Sequence, residues 1–104
     1  MYHAHIYFEL EQQALASRIH ELIRTSRSDI TAIFPLVNRL VGPHTKPMFE
    51  VHFNDNRHGF IEWLDAHREG LSVLIHPVTP DELADHTLHA KWLGEVLPIK
   101  EEIF

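Results

Sequence analysis

The sequence predicts an α+β fold of the split βαβ, ferredoxin-like type: a βαββαβ sandwich with a short C-terminal helical extension. Three observations carry that reading. Side-chain polarity alternates with period two in "HAHIYF" and "MFEVHF", and "LSVLIHP" is a short, strongly apolar run ended by proline. Stretches of helical spacing follow the first and third strand-like segments. Finally, 104 residues with 44% hydrophobic and 23% charged content suit one small globular domain, expected to span residues 1–104.

In the first segment His3, His5 and Tyr7 alternate against Ala4, Ile6 and Phe8. A helix is expected from Glu9 to about Arg27, where Leu15, Ile19, Leu22 and Ile23 recur on one side. Acidic Glu9 and Glu11 sit early and Arg24 and Arg27 late, as the helix dipole favours. A β-rich stretch from Ile30 to Val41 follows, and Pro35 assigns it to a sheet edge or a bulge. "GPHTKP" is a loop by composition. "MFEVHF" sets Phe49, Val51 and Phe53 against Met48, Glu50 and His52. After the turn "NDNRHG", Phe60, Trp63, Leu64 and His67 mark a second helix, with Gly70 placed to cap it. "LSVLIHP" is the fourth strand. Thr79, Pro80 and Glu82 predict a capped helical start, and Asp85 to Leu93 is expected to be a short helix stopped by Gly94. Trp63 and Trp92 are then expected to be core residues.

Composition narrows the function. The net charge is −6 with histidine neutral, which argues against a nucleic-acid partner. No apolar run approaches the roughly 20 residues that span a bilayer, so no membrane partner is expected. There is no cysteine, hence no disulfide or thiolate metal site. The first residues lack the pattern of a secretory signal, and a cytoplasmic location is expected. The unusual count is ten histidines against nine lysines and arginines.

In a split βαβ sheet the first and third strands are central and the fourth lies beside the first. If the sets containing Ile6, Val51 and Ile75 face the helices, the opposite sets share one face: His3, His5 and Tyr7, then Glu50 and His52, then Ser72, Leu74 and His76. Residues two apart on a strand are separated by roughly 6.6 Å, so two imidazoles can converge on one ion with a third ligand from a neighbouring strand. Taken alone, a His-x-His pair on a half-exposed strand is more often a surface pair than a ligand pair. Convergence of further histidines on the same face favours ligands. Because Tyr7, Met48 and Leu74 also lie there, the face is expected to be covered, on fold analogy by a second copy in a dimeric α/β barrel. His20, His58, His67 and His89 belong to helices or helix starts and are read as solvated or locally satisfied.

Five segments, "HAHIYF", "GPH" at 42–44, "MFEVHF", "LSVLIHP" and "DHTLHAKWLG" at 85–94, resemble in order the DOPA 4,5-dioxygenase family of fungi and bacteria. The resemblance implies a ferredoxin-like homodimer that cleaves a catechol ring in extradiol fashion with dioxygen and Fe(II). His3 and His5 match the opening histidine pair, His76 that of the fourth strand, His44 the Gly-Pro-His loop and His86 the Asp-His motif. Two positions depart from the family pattern, Thr45 where a second proline is expected and Pro80 where glycine is expected.

Extradiol chemistry needs iron(II) held on one side by a few N/O ligands, with adjacent positions free. His3, His5 and His76 are the preferred metal set, with Glu50 or His52 the alternative third ligand. His44 and His86 are the acid–base candidates, and Asp85 is placed to orient the His86 ring. Tyr7, Glu50 and His52 are the candidate substrate contacts. Two other readings stay open at this level: a metal-free or haem-linked monooxygenase of small aromatics, and a non-catalytic small-ligand-binding protein.

Overall fold

The computed structural model describes residues 1–104. Strand β1 (Tyr2–Tyr7) leads through a short 3-10 turn, Leu10–Gln12, into α1 (Gln13–Ser26). Strand β2 (Ile30–Ile33), β3 (Met48–Phe53), α2 (Phe60–His67) and β4 (Val73–Pro77) follow. The chain closes with α3 (Glu82–His86), β5 (Lys91–Leu93) and a 3-10 turn at Glu101–Ile103. The sheet order is β2-β3-β1-β4-β5, antiparallel throughout. Its first four members have the split βαβ order, with β1 and β3 central as the sequence predicts.

Alternation decides which side chains meet. Ala4, Ile6, Phe49, Val51, Phe53, Leu71, Val73 and Ile75 form the main core with Ala16, Ile19 and Ile23 of α1 and Phe60 and Leu64 of α2. On α1 the small Ala16 takes the buried position, while Leu22 turns out to solvent. The β-rich stretch at 30–41 is shorter than expected. Regular pairing stops at Ile33, Pro35 follows, and only an isolated bridge from Val37 to Met48 continues it.

The C-terminal region departs most from expectation. Residues Asp85 to Leu93 are not a helix: α3 ends at His86, and Lys91–Leu93 pairs with β4, opposing Leu93 to Val73 and Trp92 to Leu74. The free edge of β4 supplies backbone partners that a lone helix cannot use. Period-two alternation then places Leu93 in the main core and Trp92 on the other sheet face. The α3 cap is Asp81, whose side chain accepts from the Ala84 amide, so Pro80 lies outside the helix.

The face opposite the helices is covered in part within the chain. Tyr7, Met48, Leu74 and Leu97 form a second apolar cluster, backed by Val41, Trp92 and Ile99. The loop at 42–47 and the segment at 97–100 close over it together, joined by Lys100 N–H to the Pro43 carbonyl (2.9 Å) and Thr45 Oγ1–H to the Pro98 carbonyl (2.8 Å). This chain's own loop and C-terminal segment thus cover the Tyr7–Leu74 end of the face, while His3, His52 and His86 stay half-buried at the other end.

Candidate active site

Strand register assembles the site. His3 opposes His52 on β3 and His76 on β4, and His5 opposes Glu50 and Leu74. Directly opposed and diagonal side chains on one face lie within reach of one another. The nitrogens of His3, His5 and His76 can all lie within 4.8 Å of each other. His44 enters from the 42–47 loop and His86 from the end of α3: the His44 ring stands 4.2 Å from that of His5, and the His86 ring 4.0 Å from that of His76. All five histidines matched by the motifs therefore meet on one surface. Glu50 and His52 flank it, and His52 stacks on His3 with centroids 3.7 Å apart.

Burial differs across the group. His5, His44 and His76 are buried, whereas His3, His52 and His86 are half-buried. Burial, followed by repulsion from neighbouring histidines, holds His5 well below the ordinary imidazole range and pushes His44 down to about 4. Burial likewise takes His76 down to about 4, against the opposing pull of its bond to Pro77, and lowers His3. These rings are neutral near pH 7, the form in which imidazole binds metal.

Hydrogen bonds set the tautomers. His76 Nδ1–H donates to the Pro77 carbonyl (2.7 Å) and His86 Nδ1–H to the Glu82 carbonyl (2.8 Å), leaving a lone pair on each Nε2. Tyr7, 2% exposed and with its phenol raised far above the ordinary range by burial, donates its hydroxyl to His44 Nδ1 (2.7 Å). That is the only partner of the buried Tyr7 hydroxyl, whose proton is satisfied only if it donates there, and this sets the His44 proton on Nε2. Tyr7 lies beneath the site, stacked against Trp92 at 5.8 Å, and acts on it through His44.

Asp85 does not orient His86. Its carboxylate accepts from the amide and hydroxyl of Thr79, both at 2.7 Å. Burial pushes that carboxyl up, and the Thr79 bonds outweigh it and hold it below the usual carboxylate range. The His86 ring is held by the Glu82 carbonyl one helical turn back. The other histidines lie outside the site: His20 and His67 donate to the carbonyls of Phe34 and Trp63, and His58 and His89 are exposed.

Two exposed phenylalanines complete the surface, and no sequence pattern marks them. Phe34 packs on His52 at 4.9 Å and Phe104 on His86 at 4.7 Å, one at each end of the row of rings. A separate polar cleft lies between the α1–β2 and β3–α2 connections. It encloses about 530 Å³ with no hydrophobic lining, and its Arg27 and Arg57 are already paired with Asp29 and Asp55.

The histidines fit a divalent cation of the iron or zinc type. Nε2 of His5 and Nε2 of His76 stand 2.9 Å apart, and two ligands about 2.1 Å from one ion at right angles would be separated by about 3 Å. With no cation between them, His5 must use its Nε2 proton to satisfy His76, which leaves buried His5 Nδ1 without any partner. A cation removes that conflict. The combination His3, Glu50 and His52 fits less well. Its two imidazoles are stacked 4° from parallel, so their in-plane lone pairs do not converge, and His52 Nε2–H already donates to Glu50 (2.6 Å).

Fold and site together define a class: a split βαβ domain carrying a histidine cluster suited to a metal on its non-helical sheet face. Within that class the chain belongs to the Dopa 4,5-dioxygenase family, whose model matches residues 2–103. It is 30% identical over 106 residues to the DOPA 4,5-dioxygenase of Amanita muscaria, covering 94% of this chain and 46% of that protein. It is 39% identical over 98 residues to an uncharacterized 21.2 kDa protein of Botryotinia fuckeliana, covering 86% and 53%. The chain thus spans about half the length of the curated relatives it matches. A solved structure from Nostoc punctiforme, described as a "putative dioxygenase", superposes with a TM-score of 0.89 at 32% identity, covering 98% of this chain and 88% of that one.

Proposed function

We propose that this chain is a dioxygenase that opens a catechol ring in extradiol fashion, with iron(II) held by His3, His5 and His76. The observation that carries the proposal is the pair of buried neutral imidazoles whose Nε2 atoms stand 2.9 Å apart, beside a third histidine. Family membership and the name of the Amanita relative support the reaction class. Iron(II), if held by His3, His5 and His76, would supply the electron exchange that lets spin-paired catechol react with triplet dioxygen.

The chain's own groups divide the remaining work. His86 presents a bare Nε2 from a half-buried ring, suited to accept a phenolic proton and pass it to solvent. His44 is held neutral with its proton on Nε2, so it serves as a hydrogen-bond donor to a substrate oxygen. Tyr7 preserves that role, since its hydroxyl keeps Nδ1 occupied. Phe34 and Phe104 supply apolar edges against which a flat ring can lie.

The test is anaerobic loading with ferrous iron, followed by a catechol panel and admission of oxygen. A yellow ring-opened product, with one dioxygen consumed per catechol, is the expected result. Protein that retains iron but converts no catechol would overturn the reaction.

A further inference from the structure

His5 holds a ring nitrogen with no partner, and a carboxylate stands beside it just beyond hydrogen-bond reach. Nδ1 of His5 is fully buried and makes no hydrogen bond. Its nearest acidic neighbour is Oε1 of Glu50, 3.6 Å away and directly opposed to it across β1 and β3. That distance exceeds a hydrogen bond. The reason lies on the other side of the ring. His76 gives its Nδ1 proton to Pro77, so the 2.9 Å contact between the two Nε2 atoms needs the His5 proton on Nε2. Nδ1 is then a bare acceptor facing another acceptor, and the two stand apart.

We propose that Glu50 is a positioning residue, whose carboxylate accepts a hydrogen bond from His5 Nδ1–H once a divalent cation occupies the two Nε2 atoms. This rests on the metal reading of the histidine cluster. Binding of the cation moves the one His5 proton from Nε2 to Nδ1 by way of solvent, with no change in the ring's charge. The bare nitrogen that faced Glu50 becomes a donor, and closing the gap by about 0.6 Å makes a charge-assisted hydrogen bond. Glu50 is held ready for it, because Oε2 already accepts from His52 at 2.6 Å while Oε1 is left toward His5. Such a carboxylate behind a ligating imidazole fixes the ring's tautomer and raises its basicity. Glu50 thereby acts through His5 and need not touch metal or substrate.

Zinc titration of the intact chain, with nitrogen-15 NMR of the His5 ring, tests the proposal. In the wild type, zinc is expected to shift the His5 proton from Nε2 to Nδ1. Glu50→Leu is expected to weaken zinc binding by about 10–100-fold, and Glu50→Gln, which keeps an acceptor oxygen without the charge, by less. One zinc per chain with the proton still on Nε2, or equal affinity in folded Glu50→Leu, overturns the role of Glu50 alone. If Glu50→Leu fails to fold, the wild-type tautomer and the Glu50→Gln affinity decide. Wild type that takes up no zinc overturns the metal reading and this proposal with it.

Discussion

At position 5 a histidine stands between His76 on one side and Glu50 on the other, with 2% of its surface exposed. On the proposed function, replacing it by alanine removes one of the three imidazoles that would hold the metal. Metal retention and turnover are both expected to be lost in His5→Ala, measured as bound metal per chain and product formed. His3→Ala is expected to do less to the fold, because its ring is half-buried. Tyr7→Phe makes a separate point. It removes one oxygen, leaves His44 Nδ1 buried without a donor and frees the ring to exchange tautomers. A loss of about 1–3 kcal/mol is expected in chemical denaturation, together with slower turnover at unchanged metal content. Alternation alone placed His3, His5, Glu50, His52 and His76 on one face. The tautomers were not legible, because they depend on carbonyls such as that of Pro77, which every residue type carries.

Among the elements, β5 and its neighbours decide how the site is closed. Lys91–Leu93 adds a strand to the β4 edge, and the chain then turns through Gly94 toward Leu97 and the cover. Gly94 sits at φ +75°, where a Cβ would also meet the flexible end of Arg68 at 2.6 Å. The side chain can move aside, but the backbone conformation cannot relax so cheaply. Gly94→Ala is therefore expected to cost about 1 kcal/mol, seen as a fall of roughly 5 °C in Tm. "DHTLHAKWLG" suggested a helix because Trp92 and Leu93 are ambiguous in so short a run. The vacant edge of β4, a tertiary feature, settled them as a strand.

For the molecule as a whole, one sheet separates two interiors of different chemistry. The helix side is an ordinary apolar core, whereas the other face buries neutral imidazoles beneath the chain's own cover. Acid should act on that second interior first. His44 and His76 titrate near 6.5 when unfolded and near 4 when folded. Between those values the unfolded chain binds more protons, so stability falls as pH falls. In the metal-free protein the urea midpoint is expected to be level above pH 6.5 and to decline from there toward pH 4. A level midpoint through that window would show that these rings are not buried as neutral groups. By itself the sequence determined the order of the first four strands, the helix-facing core and the gathering of histidines, since period-two alternation and element order carry that information along the chain. Only the tertiary structure decided what covers the face, which nitrogens carry protons and which aromatic rings border the site. Those depend on contacts between residues far apart in sequence, such as Tyr7 with His44 and His86 with Phe104.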